Sequence, residues 1–288
     1  MNRRLIPGPA PCLGLLAFLA TAVVAAEPPT APPPKDRSRG YDDTPFLPGS
    51  RWRIHDVARP LPAEIDPGTA STQDLPGRPP ADAVVLFAGG DTEAWTMAGP
   101  PEAPAKPVAW TVAGGVLEVV PKTGNIVTKA GFGSCQLHLE WQVPTEAQGK
   151  GQRRANSGVY LMSRYEVQIL DPYANPTYAD GAAGSIYGQH PPLVLPGRSP
   201  GMWQTYDIIF HAPRFAADRS VSAPATITVF FNGVLVMDHQ DLLGRMAHAK
   251  LPAYEPHAAR EPLMLQDHGE AVRFRNIWIR ELAEPEAR

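Results

Sequence analysis

The chain has 288 residues, with 26 basic and 29 acidic side chains and a formal net charge of −3. It has no Lys/Arg run, which argues against a nucleic-acid partner. Only 19% of its residues are charged, against 25 glycines and 34 prolines, and such a surplus of turn formers among short apolar runs points to an all-β domain.

Residues 1–26 start with Arg3 and Arg4, continue through an apolar run from Cys12 to Ala26, and end in the small residues Ala25 and Ala26. That is the plan of a secretory signal peptide. The run is too short to favour a spanning helix, so the expectation is an exported chain, periplasmic or secreted, with a retained N-terminal anchor as the lesser reading. Cys12 would leave with this segment, and Cys135 alone permits no intramolecular disulfide. Cys135 alternates with Leu137, Leu139 and Trp141 and reads as a buried small hydrophobe.

Residues 27–80 hold 13 of the 34 prolines. APPPK and LPGRPP favour extended backbone without hydrogen bonds of its own. Residues 27–40 read as a linker and 41–80 as an irregular arm, to which Phe46, Leu47, Trp52 and Ile54 give some apolar surface.

The main domain is expected over 81–283. Short β-type runs recur there between Gly, Pro and Asn: 84–87, 115–121, 125–129, 134–143, 205–213, 225–238, 261–269 and 272–282. Asn232-Gly233 inside the 225–238 run marks a two-residue hairpin. About ten strands and no convincing helical period predict two stacked antiparallel sheets.

Among these runs, NSGVYLMSRYEVQILD (156–171) is the most telling. It reads as a hairpin turning at Ser163-Arg164, with period-2 alternation on both sides. Val159, Leu161, Val167 and Ile169 form an apolar face. Asn156, Tyr160, Glu166 and Gln168 share the other, where a carboxylate, two amides and a phenol could bond sugar hydroxyls and move a proton.

The same alternation puts Gln266 and His268 opposite Leu263 and Leu265, and His138 and Glu140 opposite Leu137 and Leu139. If all three segments share one sheet, they form a groove with two carboxylates and two imidazoles. From Pro172 to Met202 runs a long connection with almost no strand pattern, and long ordered loops in compact domains are usually functional. It carries Tyr173, Tyr178, Asp180, Tyr187, Gln189 and His190 and is expected to fold over the hairpin's polar face.

Other chemistries lack their signatures: there is no HExxH, no Gly-rich phosphate loop before a helix and no GxSxG elbow. His138, His268, Glu140, Glu166 and Asp171 do not match a zinc spacing. The metal question is left open, with a divalent ion held by oxygen and nitrogen ligands as an option and no other cofactor implied.

These segments together resemble the 3-keto-disaccharide hydrolase family. The resemblance is carried by VVLFAGGDTEAW (84–95), WTVAGGVLEV (110–119), NSGVYL (156–161), RYEVQILD (164–171), AGSIYGQHPP (183–192), WQTYDIIFHAP (203–213), the VFFNGVLV hairpin and LQDHGEAVRFRNIWIREL (265–282). In the first motif an Asn and a Lys of the family pattern are replaced.

The resemblance implies a concanavalin-like β-jelly roll and cleavage of glycosides whose sugar is oxidised at C3. A 3-keto group acidifies the C2 hydrogen. A base removes it, the enolate expels the C1 substituent, and water adds back. For such a reaction the polar faces offer Glu166 or His268 as base with the other as acid. Asn156, Gln168 and Gln266 would orient hydroxyls or the carbonyl, and Tyr160, Tyr187 and Trp203 would be sugar platforms. Asp171, Gln189, Glu140 and His138 complete the expected substrate-binding set. The partner is then a small sugar. A non-catalytic carbohydrate-binding jelly roll is the second reading, and a structural protein of the cell envelope the third.

Overall fold

The computed structural model describes residues 40–100 and 102–283, so the expected signal peptide and linker lie outside the described residues. The chain divides after Leu61 into two compact units. In the first, isolated bridges join Tyr41 to Asp56 and Phe46 to Arg53, and the Arg53 guanidinium lies 4.0 Å over the Phe46 ring.

The second unit is a two-sheet antiparallel sandwich of the jelly-roll type. Its strands are β1 (Val84–Phe87), β2 (Trp95–Met97), β3 (Thr111–Ala113), β4 (Val116–Glu118) and β5 (Ile126–Phe132). They continue with β6 (Cys135–Gln142), β7 (Ser157–Leu161), β8 (Tyr165–Ile169), β9 (Gln204–His211) and the short β10 (Arg214–Phe215). The last are β11 (Val221–Ala223), β12 (Thr226–Phe231), β13 (Val234–Asp241), β14 (Glu261–Leu265) and β15 (Arg273–Glu281). The larger sheet runs β13-β12-β9-β6-β15-β4-β3, with β1 also paired to β15. The smaller runs β2-β5-β14-β7-β8.

Alternation accounts for the core. Leu137, Leu139 and Trp141 from β6, Tyr206, Ile208 and Phe210 from β9, and Phe274, Ile277 and Ile279 from β15 are buried. From the smaller sheet, Ile126, Val159, Val167, Ile169 and Leu265 are equally inaccessible. Tyr165 and Phe210 touch across the two layers at 5.6 Å, and the Tyr206 hydroxyl donates to the Gln168 carbonyl at 2.7 Å. Cys135 lies in this interior, where burial pushes its thiol up to about 12; a thiol kept protonated in this way is a packing residue.

The strands missing from the sequence reading, β2, β3, β10 and β11, have two or three residues each. They are too short to show a period. Asn232 and Gly233 turn β12 into β13 with both φ angles positive, 53° and 77°, as an Asn-Gly hairpin requires.

Candidate active site

The hairpin β7–β8 forms as its alternation predicts. Val159 pairs with Val167, Tyr160 with Glu166 and Gly158 with Gln168. A one-residue slip would drive Glu166 into the apolar layer, and the buried Val159/Val167 pair forbids it. The turn falls at Met162-Ser163, one residue earlier than expected, with φ of 54° at each. Non-Gly residues pay about 1 kcal/mol or more for this region, and outside contacts hold it. Ser163 Oγ donates to the Pro262 carbonyl at 2.8 Å, and Arg164 grips Glu261 through Nε and Nη2 at 2.6 and 3.1 Å.

The polar face is the outer face of the smaller sheet, but it is not open. Asn156, Tyr160, Glu166 and Gln168 are at most 4% exposed. Two connections cover them. The long 172–202 loop returns alongside β8: Gln168 N–H donates to Ser185 O at 3.0 Å, Gly184 N–H to Gln168 O at 3.0 Å, and Tyr187 N–H to Glu166 O at 3.3 Å. It therefore extends the sheet by a bridge at Val167/Ile186 and hands Tyr187 to the site. The second connection, residues 242–260 between β13 and β14, is tied to the hairpin turn by Met246 N–H to Arg164 O at 3.0 Å. Gln189 binds it from the first loop, accepting from Leu243 N–H at 2.7 Å and donating to Gly244 O at 3.0 Å.

Under these loops lies a cavity of about 130 Å³ lined by Asn156, Tyr160, Glu166, Gln168, Tyr187, Met246, His248, Gln266 and His268. Among the described residues Glu166 is its only carboxylate. Burial pushes the Glu166 carboxyl up to about 8, and a hydrogen bond from Tyr160 only partly offsets this. Among the described residues no cation pairs with it. Its space comes from Gly158: a Cβ there would lie 2.4 Å from Glu166 Oε1 and 2.9 Å from the Tyr160 ring.

The amides form a frame around the carboxyl. Gln266 Nε2 donates to the Tyr160 hydroxyl at 2.9 Å, while Gln266 Oε1 is buried without a hydrogen-bond partner. The Gln168 amide, turned so that its nitrogen meets acceptors, donates at 3.1 Å to both Glu166 Oε1 and Ser157 O. Asn156 Nδ2 donates to Gln152 O at 2.9 Å. Burial first, and then the neighbouring Glu166, raise the Tyr160 phenol well above its ordinary range, so it stays a neutral donor. His268 stands at the end of β14, on a turn where Asp267 accepts from Gly124 N–H at 2.9 Å and Gly269 N–H at 2.8 Å. Its Nδ1 is 3.6 Å from Glu270 Oε2.

Seven of the expected residues thus converge: Asn156, Tyr160, Glu166, Gln168, Tyr187, Gln266 and His268. Gln189 acts one step away, as the tie between the two covering loops. Asp171 is buried at the end of the hairpin, 2.7 Å from Arg154 Nε and accepting from Tyr173 N–H at 2.9 Å. The sequence reading did not find Met246 and His248, whose segment has no alternation to place it, or Gln152, which orients Asn156 from a one-turn 3₁₀ helix.

His138, Glu140 and Trp203 lie elsewhere, because β6 belongs to the larger sheet. On that sheet's outer face a β-bulge, with Asn276 at φ 47°, aims both Arg275 and Asn276 at Glu140. Arg275 Nε donates to Glu140 Oε2 at 2.8 Å and Asn276 Nδ2 to Oε1 at 2.8 Å. Residues 66–81 form a strap over this cluster, closed by Ala81 N–H to Asp66 O at 2.9 Å. Ser71 donates to Glu140, Arg275 to Thr72 O and Gln73 O, and Gln73 to Trp203 O. Trp203 packs under the Arg275 guanidinium at 4.2 Å. Burial favours a neutral His138 ring, but Asp207 and Glu140 outweigh it and raise the imidazole to about 9. Burial likewise works against Glu140 ionising, and its hydrogen bonds from His138, Ser71, Asn276 and Arg275 overcome this and hold it below the usual range. Among the described residues no three His, Cys, Asp or Glu side chains are grouped to hold a metal ion. No helix among them is long and apolar enough to cross a membrane.

Comparison with known proteins agrees with this architecture. No curated protein matches the chain. A crystal structure of a candidate glycosyl hydrolase from Parabacteroides distasonis ATCC 8503 superposes with a TM-score of 0.73 at 42% identity, covering 81% of this chain and 99% of that one. A second candidate glycosyl hydrolase of the same organism, 19% identical with a TM-score of 0.50 over 70% of this chain and 94% of its own, shares the fold. Residues 82–280 match the 3-keto-alpha-glucoside-1,2-lyase-like domain along its sequence profile, and the chain belongs to that family.

Proposed function

We propose that the protein cleaves 3-keto-glycosides, 3-keto-disaccharides among them, by removing the C2 proton, eliminating the C1 substituent and adding water. The observation that carries this reading is the lone buried Glu166 carboxyl, raised to about 8. Most enzymes that hydrolyse an unoxidised glycoside use two carboxyl groups set roughly 5–10 Å apart across the bond; among the described residues this cavity is lined by one, with Asp180 outside it in the neighbouring groove. Proton abstraction next to a ketone needs a single strong base and donors for the oxygen that gains charge.

In the proposed reaction, ionised Glu166 takes the C2 proton. The C2–H electron pair becomes the C2–C3 π bond and the C3 carbonyl oxygen becomes an enolate, facing donors from Gln266 and His268. The enolate then re-forms the carbonyl as the C1–O bond breaks, leaving a C1–C2 double bond. Water adds its hydroxyl to C1 and a proton to C2. Asn156, Gln168 and the Tyr160 hydroxyl position the ring.

The test is incubation with a 3-keto-disaccharide and with its unoxidised parent, followed by chromatography, with and without a chelator to report any need for an ion. The keto sugar should be cleaved and the parent left intact. Binding of both without cleavage of either would favour a carbohydrate-binding module and sink the proposal.

A further inference from the structure

A second space adjoins the catalytic cavity. It is an open groove of about 490 Å³ between residues 178–188 of the long loop and 247–251 of the later one. Small-molecule sites typically occupy roughly 300–1,000 Å³, so it has room for a sugar-sized group that the 130 Å³ cavity lacks. Only Tyr187 and His248 line both spaces.

These two side chains are held together. The Tyr187 hydroxyl lies 3.0 Å from His248 Nδ1 and 2.6 Å from the Tyr178 hydroxyl. The Tyr187 and His248 rings are stacked, 24° apart in plane. Burial, followed by the Tyr178 hydrogen bond and the charge of Glu166, raises the Tyr187 phenol above its ordinary range, so it remains a neutral hydroxyl. With Nδ1 engaged, Nε2 of His248 is the ring's uncommitted nitrogen among the described residues.

Building on the reading of Glu166 as base, we propose that the groove holds the departing group and that His248 protonates its oxygen. The departing oxygen is bonded to C1, next to the C2 that Glu166 attacks. A ring seated with C2 at Glu166 therefore puts the breaking bond at the junction of cavity and groove. As C1–O breaks, its electron pair stays on oxygen, which takes the proton from His248 Nε2. The neutral imidazole then recovers a proton from the water whose hydroxyl adds to C1, while Glu166 returns its proton to C2. Imidazole suits this exchange near neutrality. The roles divide by space: Glu166 serves the inner cavity and His248 the junction.

The test is His248→Gln, assayed on a 3-keto-glucoside carrying a second sugar and on one carrying p-nitrophenol. A nitrophenolate leaves without protonation, and a sugar alkoxide does not. The variant should lose about 10²–10⁴-fold on the disaccharide and less than about tenfold on the nitrophenyl substrate. It should also keep the wild-type rate of C2 deuterium uptake in heavy water, since that step draws on Glu166 and the enolate's donors and not on His248. Equal losses on the two substrates, no loss on either, or loss of C2 exchange would overturn the assignment while leaving the 3-keto reading intact. A wild-type protein that neither exchanges C2 nor cleaves either substrate would take down both.

Discussion

At pH 7 a carboxyl titrating at about 8 is ionised in roughly one molecule in ten. Since the base must be ionised, kcat/KM on a nitrophenyl 3-keto-glucoside, whose departing group needs no proton, should climb with pH, pass half its maximum near pH 8 and level off only about one to two pH units higher; a profile already flat at pH 6 would contradict this. The same group weakens the fold. Its folded value lies above the ordinary 4.5, so the native state keeps a proton that the unfolded chain releases. Its contribution is greatest below pH 4.5 and declines as pH rises through 8. Glu166→Gln should therefore lower turnover by at least 10²–10⁴-fold and raise Tm at pH 9, with little change in Tm at pH 4. A second substitution tests the carboxyl's position. A methyl at residue 158 would overlap Glu166 Oε1, so Gly158→Ala should displace the base and reduce kcat by about 100-fold. Its urea midpoint should move far less than the change in rate implies.

Among the elements, the longer strands and the first covering loop were legible, and the second covering loop was not. Period-2 alternation located β6–β9 and β12–β15, and in the runs of β6, β7, β8 and β14 it put the correct side chains outward, because side-chain parity depends only on local backbone. It did not say which strand joins which sheet. That is why His138 and Glu140, rightly placed on the non-core face of β6, lie on the other sheet from Glu166. The 172–202 connection covers the hairpin's polar face as its length and aromatic content suggest, but nothing in the irregular 242–260 segment signals that it brings Met246 and His248 to the same place. The tie between the loops gives an element-scale prediction. Gln189→Ala removes both bonds to residues 243 and 244, freeing the segment that carries Met246 and His248. KM for the disaccharide should rise about tenfold while Tm falls by about 2–12 °C, as expected for a half-buried amide that loses two hydrogen bonds. Unchanged kinetics would show that the second loop holds its place without Gln189.

At the scale of the whole molecule, the two outer faces do different work. One holds the cavity; the other is closed by the 66–81 strap around a buried ion pair. Removing one member of such a pair typically costs 3–5 kcal/mol. Glu140→Gln should thus lower Tm by about 6–20 °C at roughly 2–4 °C per kcal/mol, with kcat on the 3-keto substrate unchanged at 25 °C. Loss of kcat in a folded Glu140→Gln protein would tie this face to catalysis after all. His138 acts with Glu166 on the pH response. Its folded value near 9, against 6.5, contributes stability that is full below pH 6.5 and lost as pH rises through 9. The alkaline range that ionises the proposed base is therefore the range in which the fold is weakest.

The position of the last two long strands has a consequence for biogenesis. β14 sits between β5 and β7 in one sheet, and β15 between β6 and β4 in the other. A chain emerging from the ribosome in sequence order therefore holds two incomplete sheets, each with an unfilled slot, until residue 281 is free. Exposed strand edges of this kind recruit other chains. The two layers are not both complete before β15 has been made, and a nascent chain ending near residue 260 should depend on chaperones to stay unaggregated.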